Sequence, residues 1–331
     1  MRMRFILVAV LLLAISLHAD AQDRAGQLII DVHLHASPAD ANGPPPLGLC
    51  LPLTSHLPPL DPAKQTFSAL SKQPPCSDPL WSPVTDQAVM KQTIEVLKRR
   101  NIIGVLSGSP DRVLQWSKEA PDRFIRSVEF QLGRNQLSVD ELRRLFKESS
   151  FAVIGEVTNQ YVGIAPDDSR MEPYWALAES LDVPVAIHMG EGPPGAAYLI
   201  PTYRARLTSP YLLEEVLIRH PRLRVSVMHY GSPLIEEMIA MLGAYPQLYV
   251  DIGGIQWNYP RAYFYKQLKE LIDAGFGKRI MFGSDQMNWP GVIEPAIAIV
   301  DEAPFLSGDQ KRDIFCRNAA RFLRLDTKTC D

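Results

Sequence analysis

The 331-residue chain has little excess charge and few cysteines, and it is almost without long apolar runs. Lysine and arginine number 34 against 37 acidic residues, leaving a formal net charge of -3. That balance gives no electrostatic reason to expect nucleic acid or a membrane surface as partner. No block of like charges forms an interaction tail, and no internal repeat is visible. The four cysteines, Cys50, Cys76, Cys316 and Cys330, lack the C-x-x-C spacing of a zinc or redox site. The one long apolar run, residues 5–17, falls short of the ~20 residues a membrane-spanning helix needs.

That run has a different reading. Arg2 and Arg4 precede it, and Ala19-Asp20-Ala21 follows with small residues. This is the layout of a secretory signal peptide, predicted over residues 1–21 with cleavage after Ala21. One globular domain is then expected over 22–331, exported to the periplasm or the exterior, with no membrane contact after cleavage. In an oxidising compartment the four cysteines can pair, and four allow three connectivities. Sequence proximity favours Cys50 with Cys76 and Cys316 with Cys330.

Hydrophobic content is 46%, enough for a sizeable core. Apolar runs at 27–35, 102–107, 124–130, 153–157, 183–189, 224–230, 248–254 and 280–285 read as strands. Several are near-continuous Val/Ile/Leu/Met stretches, as expected for strands buried on both faces. Helical stretches separate most of them. Ser138 with Glu141 forms a capping box, and Ser209-Pro210 and Ser232-Pro233 each place a cap before a proline. Pro221 and Gly275 supply stops. Alternation over this length predicts an α/β fold, a (β/α)₈ TIM barrel, with an open doubly wound sheet as the competitor. Between 37 and 83 the chain carries twelve of its 28 prolines, so no long helix or central strand fits there. This Pro-rich insertion after the first strand is either a cover over the barrel mouth or a loose loop. A second loop, 190–208, is rich in Gly and Pro.

The most informative residues lie at strand ends. In Ile30-Asp31-Val32-His33-Leu34-His35 alternate side chains share a face, so His33 and His35 point the same way. Two imidazoles so placed can grip one divalent metal. Later apolar strands end in His188, His229 and Asp285, and in a barrel those ends converge on one mouth.

His33-x-His35, Ile187-His188, Met228-His229 and Phe282-Gly283-Ser284-Asp285 resemble the metal-dependent amidohydrolase superfamily. More narrowly they resemble its amidohydrolase-related branch, which includes aminocarboxymuconate-semialdehyde decarboxylase. The closing Asn318-Ala319-Ala320-Arg321-Phe322-Leu323 is similar to that branch too, and the likeness runs from about Gln27 to Leu325. His33, His35 and His188 would supply neutral nitrogens and Asp285 a carboxylate, a set that suits Zn²⁺ with a position left for water. Zinc lowers the pKa of a bound water towards ~7, and Asp285 is the candidate general base.

The resemblance gives His229 two roles: beside a single metal acting on substrate or water, or as ligand to a second metal. Glu156 stands where binuclear members place a bridging carboxylated lysine or glutamate; pairing with a neighbouring arginine is its plain alternative. One metal, with a weaker second, is expected.

Other residues carry less. His220 before Pro221 reads as a helix-end residue, and His56 as a surface or substrate contact. Arg204 and Arg206 are candidates to hold a substrate carboxylate. Trp257, Asn258 and Trp289 are candidates to line the pocket. The leading expectation is an exported hydrolase of an amide, lactone or ester bond in a small molecule. The alternatives are a non-oxidative decarboxylase and a non-enzymatic binding protein. The substrate and the oligomeric state, a homodimer included, stay open.

Overall fold

The computed structural model describes residues 26–59, 61, 63 and 71–330. The segment expected to be a signal peptide lies outside them. Among the described residues there are ten strands: β1 (Ile29–His35), β2 (Gly48–Leu49), β3 (Leu80–Trp81), β4 (Ile102–Ser107), β5 (Phe124–Phe130), β6 (Phe151–Val157), β7 (Val185–His188), β8 (Val225–Met228), β9 (Leu248–Asp251) and β10 (Ile280–Met281). Eight of them form one sheet in the order β1-β4-β5-β6-β7-β8-β9-β10, and the pairs are parallel. Val32 N–H donates to Phe282 O at 3.0 Å and Asp285 N–H to His33 O at 2.8 Å, which brings the last strand round to the first. The sheet is thus a nearly closed (β/α)₈ barrel, and each of the eight expected strands is one of its staves.

Helices cross back between successive strands, as parallel pairing requires. The capping box of Ser138 and Glu141 opens the helix Val139–Glu148. The two Ser-Pro caps turn out otherwise. Ser209 precedes only a short 3₁₀ turn, and its hydroxyl donates to Glu237. The helix Ile235–Ala244 begins beyond Ser232, with Leu234 at its cap. Gly275 ends the helix Arg261–Asp273 at φ 91°, a left-handed value that suits glycine.

The core has two parts. The larger packs the outward strand faces against the helices. The smaller fills the barrel interior: Ile30, Val105, Val153, Ala186, Met228 and Met281 come from six strands and meet Cys316, Ala319, Ala320 and Phe322 of the C-terminal segment. Each fully buried Ile or Met there contributes roughly 1.5–3 kcal/mol. This interior layer supports the opposite end, where the titratable residues gather.

Both disulfides expected from proximity form, Cys50–Cys76 and Cys316–Cys330. The described part of the Pro-rich insertion is a tied cover. β2 and β3 pair antiparallel, Trp289 Nε1 donates to Leu47 O at 2.9 Å, and Thr54 Oγ1 donates to Asn258 O at 3.0 Å.

Candidate metal centre

Strand ends at one rim deliver the site. β1 brings His33 and His35, whose ring centroids are 5.1 Å apart. Glu156 comes from β6, and its backbone N–H donates to Ser107 Oγ at the end of β4 (2.6 Å). His188 is the last residue of β7 and Asp251 the last of β9. His229 follows β8 in a tight turn at φ 58°. Asp285 lies four residues beyond the end of β10, at φ 51°. The sequence expectation ran that strand to residue 285. The ladder stops at Met281, and the segment instead bends in towards β1.

The side chains converge. Asp285 Oδ1 is 3.1 Å from His35 Nε2 and 3.5 Å from His33 Nε2. Glu156 reaches both ways: Oε2 is 3.6 Å from His35 Nε2, and Oε1 is 2.8 Å from His188 Nδ1. His229 Nε2 stands 3.0 Å from His188 Nδ1. Two donor triads result, His33–His35–Asp285 and His33–Glu156–His229, with ligand atoms within 4.8 Å of one another in each. His188 adjoins the second through Glu156 and His229. The five residues proposed as ligands and His229 therefore share one cluster.

Backing residues fix the rings. His33 Nδ1 faces Asp251 Oδ1 at 3.2 Å, leaving Nε2 buried without a hydrogen bond. His188 Nε2 is likewise buried and unpartnered. His229 Nδ1 lies 2.7 Å from Gly253 O, which can only accept, so this nitrogen carries the proton and Nε2 the lone pair. Asp31 Oδ1 accepts the N–H groups of His33 (3.0 Å) and Ser284 (2.9 Å), aligning the two segments that present ligands. Sequence reasoning missed Asp31 and Asp251. The signal for Asp31 was its place two residues before His33, hence on the same face.

The electrostatics ask for a cation. Burial works against charge on His33, yet Asp285 and Asp251 outweigh it and push its pKa up to about 10. Burial likewise works against charge on His35, but the hydrogen bond to Asp285 and the charges of Glu156 and Asp285 outweigh it, with a net rise. Burial raises Glu156, but the hydrogen bond and charge of His188 and the charges of His35 and His33 hold it well below the usual carboxylate range. Asp285 is also held low, by His33 and His35 against burial. Burial, then His188 and His33, keep His229 neutral. The carboxylates that favour a proton on His33 equally favour a divalent ion in its place. With buried nitrogens lacking partners, mixed N and O donors, and histidines as the only cations paired with these carboxylates among the described residues, the set fits a divalent metal.

The remaining expected residues lie outside the cluster. Arg204 and Arg206 are exposed, and Arg204 donates to the carbonyls of Pro201 and Tyr203. Trp257 is buried, and its Nε1 donates to Ser284 O at 2.8 Å, steadying the approach to Asp285. His220 caps the helix Glu214–Arg219 and faces Glu172 and Glu179, the structural role expected of it. His56 is half-buried in the Pro-rich segment beside Cys50 and Pro74.

No curated protein matches the chain significantly. Among solved structures, it is similar to one described as a probable 2-pyrone-4,6-dicarboxylic acid hydrolase from Acinetobacter baumannii (TM-score 0.59, 16% identity, 90% of this chain and 99% of that one). It is similar to a 2,6-dihydroxybenzoate decarboxylase complexed with 2,6-dihydroxybenzoate (TM-score 0.58, 17% identity, 91% and 99%). A third is the 5-carboxyvanillate decarboxylase of Novosphingobium aromaticivorans complexed with manganese (TM-score 0.57, 16% identity, 91% and 97%). At such identities the likeness shows the fold. The family model described as amidohydrolase, however, matches residues 30–325, from the first strand to the closing helix. A match of that extent makes the chain a member of the amidohydrolase family and an enzyme of its superfamily.

Proposed function

We propose that the protein is an exported metal-dependent hydrolase that opens an amide, lactone or ester bond of a small molecule. The observation that carries this reading is the stock of proton acceptors at the cluster. Asp285 and Glu156 are held as carboxylates, and His229 presents an unprotonated Nε2 because Nδ1–H is committed to Gly253 O. Such a site removes protons from water more readily than it supplies one to carbon.

His33, His35 and Asp285 would hold the ion, and Glu156 with His229, beside His188, would hold a second, weaker one. Zinc or manganese there would supply Lewis acidity. Asp285 takes the proton of the attacking water and returns it to the leaving group. Tyr161 packs against His188 at a tilt, with centroids 4.7 Å apart, and burial, Glu156 and Asp285 keep its hydroxyl protonated. It is thus available as a donor to the developing oxyanion. His229 cannot fill that role, because its Nε2 has no proton to give.

The decarboxylases among the similar structures favour a second reading, non-oxidative loss of CO₂ from a small carboxylic acid. The mature protein, loaded with zinc or manganese, is assayed against lactones, esters, amides and aromatic carboxylic acids. Hydrolytic acid release is expected, falling about 10²–10⁴-fold in Asp285→Asn; CO₂ release without hydrolysis would overturn the first reading for the second. Export is supported by the two disulfides and by the leader-like first 21 residues. N-terminal sequencing of the secreted chain should begin at Gln22; an intact Met1 would count against it.

A further inference from the structure

Two loops meet above His229. After β7, Gly190 packs so closely that a Cβ there would stand 3.1 Å from His229 Cδ2. The next residue, Glu191, accepts a hydrogen bond on Oε1 from the hydroxyl of Tyr259. Tyr259 follows the short helix Ile255–Asn258, whose cap Gly254 lies against Asp285: a Cβ at Gly254 would come 2.7 Å from Asp285 Oδ2. The Glu191–Tyr259 bond therefore joins the loop after His188 to the loop after Asp251.

The polar atoms of this bridge are only half used. Glu191 Oε2 and Asn258 Oδ1 are buried and accept no hydrogen bond. Four tyrosine rings pair nearby: Tyr259, which bonds Glu191, lies 4.9 Å from Tyr263, and Tyr161 lies 5.7 Å from Tyr203, centroid to centroid. The negative charge of Glu191 reaches the hydroxyls of all four tyrosines. Among the described residues no cation is paired with it: Arg204 and Arg206 of the same loop are exposed, and Arg204 is bonded to its own loop. A buried acceptor left unpaired is unfavourable until a donor arrives, and tyrosine faces attract cations.

We propose that Glu191, with Asn258 and the tyrosines around it, selects substrates that carry a protonated amine. The ammonium would donate to Glu191 Oε2 and lie against the tyrosine rings, while the bond to be cleaved reaches Asp285. Anionic substrates would meet the carboxylate and be disfavoured. The identity of the reaction rests on the hydrolase reading; the ammonium preference is read by binding and stands or falls separately.

Benzylamine and benzyl alcohol, near-isosteres differing in charge, are titrated by calorimetry into metal-loaded wild-type and Glu191→Gln protein at pH 7. The wild type should bind benzylammonium at least about tenfold more tightly than the alcohol, and the ratio should fall towards one in Glu191→Gln. Equal affinities in the wild type, a ratio that survives in Glu191→Gln, or no binding of either probe overturns the proposal. The wild-type ratio needs no variant to fold. A preference for benzylammonium without turnover of any ester, lactone or amide would keep the ammonium subsite and discard the hydrolase reading.

Discussion

Asp31 shows how a residue behind the ligands sets their geometry and titrates while doing so. Burial raises its pKa to about 6, against the hydrogen bonds from Ser284 and His33. Between about pH 4 and pH 6 the folded state then holds a proton that the unfolded state has lost, so stability falls as pH rises through that window. A shift from 3.8 to about 6 amounts to about 3 kcal/mol at most. In metal-free protein, Asp31→Asn should gain thermal stability over the wild type above pH 6 and lose that advantage near pH 4. Parallel Tm curves for the two proteins across pH 4–7 would contradict this.

The histidines and Asp285 were legible because they break apolar runs at strand ends, where one residue type stands out against Val, Ile and Met. Asp31 and Asp251 stand in the same runs and were passed over, since a carboxylate facing only a ring nitrogen or backbone amides joins no metal-ligand pattern; Asp31 offered only its place two residues before His33. Glu191 was hidden more deeply. Its partner Tyr259 lies 68 residues away, and only the fold brings the two loops together.

At the scale of elements, each barrel strand was visible in the apolar pattern, but several strand ends were not. Phe282 continues the hydrophobic run of β10, yet its amide pairs with Ile314 O and its carbonyl with Val32, so the ladder to β9 has already ended. Composition likewise said that the Pro-rich segment holds no long element without saying that it is fastened. The disulfide Cys50–Cys76, spanning 26 residues, is one fastening. In the chain-entropy model a loop of that length contributes about 3.5 kcal/mol. The Cys50→Ser/Cys76→Ser variant should become susceptible to proteolysis within 37–83 while barrel circular dichroism is unchanged. Resistance equal to the wild type would show that β2, β3 and Trp289 suffice to hold the cover.

For the whole molecule, the ligand set draws on strands β1, β6, β7, β8 and the segment after β10, so an ion there would tie most of the barrel's circumference together. An ion at 100 times its Kd stabilises the state that binds it by about 2.7 kcal/mol. Chelation should therefore lower Tm by several degrees, reversibly on adding zinc or manganese. A Tm unmoved by chelator, in protein shown to have lost its metal, would remove the ion from the stability of the fold.

The backbone circle has its thinnest join between first and last strands, where two amide bonds stand in for a run of paired residues. His33, His35 and Asp285 sit on either side of that join. An ion seated among them would act as a clasp, so that reactivity and the completeness of the ring are gained or lost together. An emptied enzyme would loosen first at the place where it works.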